Sequence, residues 1–164
     1  MQRKSLACAA FSDSVRVLRI RPKALRIFKK YEQKGIRSPE AGGILLGHVY
    51  RNHDEVTKAT VPNRLDSRGS CFFNRSRNGA QVRVNRSWRK SHGSLIYLGE
   101  WHTHASISPQ PSLIDRNMMR ETLNETRMEI DLIYLVVVGL NQTYWVGRQT
   151  DKGLVQLSSD LKSA

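Results

Sequence analysis

The stretch that most limits the folds open to this chain is Leu132–Leu140 (LIYLVVVGL), nine residues without a charge. It is well short of the ~20 apolar residues that a membrane-spanning helix needs. It predicts instead a buried strand over 131–140, which needs other strands beside it and cover over its faces. Thr143–Gln149 then reads as its hairpin partner, joined across GLNQ.

The rest of the chain supplies such cover. Val15–Ile20 alternates in the manner of a strand, and Pro22 opens a basic helix with Leu25, Phe28 and Tyr31 at helical spacing, ending near Gly35. Gly42–Tyr50 and Glu55–Pro62 read as two strands joined by the polar turn Arg51–Asp54, and Asn63–Gly69 reads as loop. In residues 77–91 Val82 and Val84 alternate as in a strand, but Gln81, Val84 and Trp88 have helical spacing, which favours a basic amphipathic helix. Leu95–His104 is a strand that runs into a loop containing Pro109 and Pro111. A helix is expected over Ser112–Thr126, then the buried strand, its partner, a short strand near Leu154–Leu157 and a frayed tail. The order implies an α/β fold, a central mixed β-sheet flanked by helices.

At 164 residues and 18.8 kDa, with 39% hydrophobic and 25% charged residues, the chain predicts one domain over 1–164, its core about 12–157. Leu6–Phe11 follows basic residues as in a signal peptide, but six apolar residues fall below the usual ~7–15, which predicts a mature N-terminus. Cys8 and Cys71 have no CxxC spacing, and Cys71 reads as a buried or half-buried thiol. A reducing cytoplasm is the expected compartment. The net charge of +13 is uneven: residues 1–90 hold 21 basic and 6 acidic residues, whereas residues 91–164 hold 6 and 8. Charge alone suggests an anionic partner, with nucleic acid first.

The chemistry is concentrated in residues 99–115, GEWHTHASISPQPSLID. Residues two apart on a strand face one side, so His102 and His104 present both imidazoles to one point. Asp115 follows on the first turn of the next helix, folded back by the proline loop. Two imidazoles and a carboxylate form a catalytic zinc set, three protein ligands with the fourth position left to water. Taken singly, a His-x-His pair is more often a surface feature, and Ser112-x-x-Asp115 is also a helix capping box. Glu100 shares the face of both histidines and could serve as a hydrogen-bond acceptor for an imidazole or as a rival base. His48, His53 and His92 show no ligand spacing. Trp88, Trp101 and Trp145 read as core or edge-of-core residues, with Trp101 turned away from the histidines.

His102-x-His104, seven residues, then Ser112-x-x-Asp115 resembles the JAMM motif of the JAB1/MPN metalloprotease family. Glu40 directly before AGGILLG resembles the family's upstream general base. The resemblance implies a JAB1/MPN (cytidine-deaminase-like) fold, one Zn²⁺ per chain on His102, His104 and Asp115, Glu40 as the proton carrier, and Ser112 as a donor to the oxygen of the scissile carbonyl. The tract SCFFNRSRNGAQVRVNRSW followed by LIYLGEWHTH is similar to short bacterial JAB proteins of integrative and conjugative elements. These include the deconjugating peptidase of type II CBASS antiphage operons. That likeness implies an isopeptidase acting beside a ubiquitin-transfer-like conjugating enzyme, with a cGAS/DncV-like nucleotidyltransferase as the conjugated substrate and no membrane partner. Substrate contacts are expected from Arg64–Lys90 and Ala105–Pro111. Ala105 departs from the family, which usually has proline directly after the second histidine. The alternatives are a peptidase that processes a ubiquitin-like sulfur carrier and a RadC-like nucleic-acid-associated module.

Overall fold

The computed structural model describes residues 7–125 and 131–159. In chain order the elements are β1 (Ala9–Ser12), β2 (Val17–Ile20), α1 (Pro22–Tyr31), β3 (Gly42–Val49), β4 (Asp54–Ala59), β5 (Ser67–Gly69), β6 (Phe72–Asn74), α2 (Arg77–Lys90), β7 (Ile96–Thr103), α3 (Leu113–Glu125), β8 (Ile133–Val138), β9 (Tyr144–Thr150), β10 (Gly153–Gln156) and β11 (Ser158–Ser159). Among the described residues, no helix is long and apolar enough to cross a membrane.

Nine strands form one mixed sheet in the order β10-β9-β8-β7-β3-β4-β2-β1-β11. The pairs β2–β4 and β7–β8 are parallel and the others antiparallel. The apolar run becomes β8, which is buried along its whole length. Alternation sends Tyr134, Val136 and Val138 into one core and Ile133, Leu135 and Val137 into the other. The first core holds α1 through Ala24, Leu25 and Phe28; the second takes Ala80 of α2 and Met119 of α3.

The sheet curls until its edges meet. β10 and β11 lie at opposite edges of the sheet, yet only Leu157 separates them, a gap of at most ~7 Å between flanking Cα atoms. Buried Leu157 donates its N–H to Val146 O. Across the same seam Phe11 meets Tyr144 edge-on at 6.4 Å, and Arg148 pairs with Asp13 at 2.7 Å. The face carrying α1 is therefore the concave one.

Several local expectations change. The strand predicted over Val15–Ile20 forms as β2, and a strand not foreseen, β1, pairs with it across a turn held by Val15 and Arg16 N–H groups donating to Asp13 Oδ1. The first helix ends at Tyr31 rather than near Gly35, because Glu32 leaves the helix and accepts from Asn141 N and Gln142 N. Asn141 and Gln142 occupy the left-handed region at φ 57° and 58°, so two adjacent amides point at one carboxylate. The loop read over Asn63–Gly69 ends in β5, which pairs with β6 in a separate hairpin. Trp88, expected in the core or at its edge, is 54% exposed; Val84 on the same helix packs inward. Thr126 and the predicted tail beyond Ser159 lie outside the described residues.

Between β3 and β7 the register shifts, with Leu45 opposite Gly99 and Leu46 opposite Tyr97. Gly99 carries φ +147°, and a Cβ there would come within 1.9 Å of Tyr134 O. Only glycine fits this bulge. The bulge sets the phase of the strand just before the histidines.

Candidate active site

His102 lies near the end of β7, opposite Gly42 of β3 on one side and Val137 of β8 on the other. The strand continues past Thr103: His104 N donates to Val138 O, keeping the extended alternation that puts both rings on one side. The ring centroids are 4.9 Å apart. The chain then turns through Ser106, whose carbonyl accepts from Leu140 N, and through the buried prolines Pro109 and Pro111. Gly139 permits this close packing, since a Cβ there would lie 2.4 Å from Ser106 O and 2.8 Å from Pro109 Cδ. With Ala105 in place of the family's proline, the turn is still fixed by these contacts.

Ser112 and Asp115 then cap α3 reciprocally. Ser112 N donates to Asp115 Oδ2 at 2.6 Å, and Asp115 N donates to Ser112 Oγ at 3.1 Å. The cap orients the carboxylate as it starts the helix. Asp115 Oδ1 stands 3.3 Å from His102 Nε2, and Oδ2 stands 3.6 Å from His104 Nε2. Two ligands held ~2.05 Å from a tetrahedral ion would be about 3.3 Å apart. His102 Nε2 is buried without a hydrogen-bond partner, even with Asp115 Oδ1 so close. An orphaned imidazole nitrogen facing a second imidazole and a carboxylate is a donor set for a metal ion. Burial, followed by the neighbouring His102, lowers the pKa of His104 and favours the neutral, ligating imidazole. Burial works to raise Asp115, but the His102 imidazole beside it, and then Ser112, outweigh burial and hold the carboxyl low.

A cleft of about 590 Å³ opens onto the cluster, lined also by Glu40 and Ser112. All five residues singled out from the sequence therefore meet in one place. Glu40 is 8% exposed, two residues before the start of β3, with its N–H donating to Gly69 O at 2.7 Å. Burial raises its carboxyl to about 7, with His102 pulling it down and Asp115 pushing it further up. A carboxyl so placed can both accept and release a proton near neutrality.

Glu100 also reaches the cleft wall, but its oxygens are taken. Arg75 donates to both, at 2.8 and 2.7 Å, and Tyr97 OH donates to Oε1 at 2.6 Å. Its partners are thus a guanidinium and a phenol rather than an imidazole. Sequence reading passed over Arg75, which β7 meets only through folding. Trp101 turns away as expected, buried against Phe28 with Nε1 donating to Thr60 O. Cys71 is not buried: it is a free, exposed thiol at the β5–β6 turn and lines the cleft beside Phe72 and Phe73. Of the tracts expected to flank the cleft, Ser70–Arg75 and Ala105–Ser106 do so, while α2 lies elsewhere. His48 Nδ1 lies 2.6 Å from Ser94 O and His53 stacks on Tyr50, so neither joins the cluster.

Known proteins resemble this chain over most of its length. Over 135 residues the chain is 34% identical to a CD-NTase/cGAS isopeptidase of Pseudomonas aeruginosa, covering 82% of this chain and 85% of that protein. A protein of the same name from Vibrio cholerae is 31% identical over 133 residues, 81% of each chain. The solution structure of protein DSY2949 from Desulfitobacterium hafniense superimposes with a TM-score of 0.57 at 18% identity, over 81% of this chain and 84% of that one, a likeness of fold alone. Residues 26–151 match the Prok-JAB family, the prokaryotic homologues of the JAB domain. The chain belongs to that family.

Proposed function

We propose that this chain is a zinc-dependent isopeptidase that hydrolyses the bond between the C-terminus of a conjugated protein and a target amine. The conjugated protein is a cGAS/DncV-like nucleotidyltransferase, and the reaction reverses the work of a ubiquitin-transfer-like conjugating enzyme in cytoplasmic antiphage defence. One observation carries the reading: three ligand atoms within 4.8 Å of one another open, with Glu40, into the cleft of a chain similar to isopeptidases over most of its length.

His102, His104 and Asp115 would hold one zinc ion. When bound, it supplies a Lewis acid for the carbonyl and lowers the pKa of its water to about 7. Glu40 accepts the proton of the attacking water and delivers it to the departing amine. Its burial suits both steps, since the protonated and ionised forms are close in energy near pH 7. Ser112 Oγ accepts from Asp115 N, and its hydroxyl donates to the oxygen that gains charge as the carbonyl becomes tetrahedral. The products are a free carboxylate and a free amine, formed without a covalent bond to the enzyme.

The test is incubation with a nucleotidyltransferase conjugate, with and without chelator, followed by mass spectrometry of the released C-terminus. The expected product is the intact, unmodified C-terminus, formed only while metal is present. Absence of release from zinc-reconstituted protein contradicts the assignment.

A further inference from the structure

A second concavity, of about 360 Å³, shares no lining residue with the cleft. Three elements build it. Lys23 and Ile27 lie four residues apart on α1, Lys58 projects from β4, and Arg83 and Arg86 lie three apart on α2. No carboxylate lines it, and among the described residues no ion pair joins any of its four cations to an acidic group. Arg83 is held in place, with Nη1 donating to Val61 O at 2.6 Å, which leaves its other N–H groups for a ligand. Ile27 and Val61 add an apolar wall.

Crowded cations without counterions repel one another, and the fold keeps them together. Lys58 registers the repulsion: burial first, then Lys23, Arg83, Lys90 and Arg86, lower its pKa below the ordinary lysine value.

We infer that this pocket binds a small organic di- or triphosphate, its phosphates on Lys23, Lys58, Arg83 and Arg86 and its organic part against Ile27 and Val61. The volume falls within the range of small-ligand sites, about 300–1,000 Å³. Two guanidinium forks beside two ammonium groups match the oxygens of adjacent phosphates. The positive half of the chain, which charge alone would assign to nucleic acid, thus has one built site whose chemistry is phosphate recognition. The inference is independent of the hydrolytic reading, since neither site uses a residue of the other.

The test is calorimetric titration of the full chain at 0.15 M salt with inorganic pyrophosphate and with ATP, against an acidic peptide and a single-stranded oligonucleotide. The parent should bind ATP more tightly than pyrophosphate, and both more tightly than the peptide or the oligonucleotide. R83A/R86A should weaken ATP binding at least tenfold, while K152A, a variant at an exposed turn, should leave it unchanged. K58M supplies a second readout without ligand: relieving like-charge crowding should raise the Tm at low salt and cancel that gain at high salt. ATP binding that persists in R83A/R86A, whether by chelation at the histidines or by scattered surface charge, overturns the inference. Tighter binding of the peptide or oligonucleotide, or a Tm lowered by K58M, also overturns it.

Discussion

Arg75 donates to both carboxylate oxygens of Glu100 across 25 residues of sequence, and that one contact separates the two acids of the cleft. Glu100 is locked by a guanidinium and a phenol, whereas among the described residues no side chain is hydrogen-bonded to Glu40. The same contact joins the segment after β6 to the strand that carries His102, so the cleft wall and the cluster are held to each other.

Removing Arg75 should therefore cost more than a surface ion pair would. R75A leaves a buried carboxylate without its partner, and a loss of about 3–5 kcal/mol is expected in urea unfolding. Replacing both groups by apolar residues, as in R75M/E100M, should recover much of that loss. Equal stability for R75A and the double variant would show that the pair is not an uncompensated-charge problem.

Ser112 has two roles that one substitution can separate. S112A removes the acceptor for Asp115 N and should lower stability by about 1 kcal/mol. It should also reduce kcat by about 10²-fold, because a donor to the developing oxyanion is lost. A stability loss of this size with unchanged kcat would leave Ser112 as a cap alone.

The seam of the rolled sheet should show itself in acid. Burial works to raise Asp13, but hydrogen bonds from Arg148 and from the Arg16 and Val15 amides prevail and hold it below the ordinary aspartate range. A depressed folded-state pKa stabilises above the unfolded value, and the contribution fades as pH falls through the folded one. D13N keeps an oxygen for the turn amides but loses the charge facing Arg148. The parent should exceed D13N by about 1 kcal/mol at pH 7 in chemical unfolding, a modest figure because both groups touch solvent. The difference should shrink below about pH 4. A gap that widens on acidification would contradict this account.

What could be read from the sequence was what depends on local spacing. His102 and His104 share a face because strands alternate, and Ser112 and Asp115 meet because a helix starts between them. β8 announced itself because both of its faces are covered, so nothing polar interrupts the run. The parts that escaped depend on distant partners. β1 is four short residues whose strand character comes from β2 and β11, and β11 is two serines. β5 and β6 are exposed and lack apolar alternation, so β5 looked like loop and β6 gave no strand signal. Arg75 was one arginine among many until β7 placed Glu100 beside it. Trp88 had helical spacing with Gln81 and Val84, but the core of α2 closes on Ala80 and Val84 and leaves the indole outside.

The central claim is that His102, His104 and Asp115 hold zinc while Glu40 moves the proton. It is tested most directly on one E40Q preparation, assayed for zinc by elemental mass spectrometry and for release of the conjugated C-terminus. Glutamine preserves shape and cannot carry the proton, so E40Q should retain about one zinc per chain, the stoichiometry of a three-ligand catalytic site, and release almost no product. Release at the parent's rate by zinc-loaded E40Q would contradict the account.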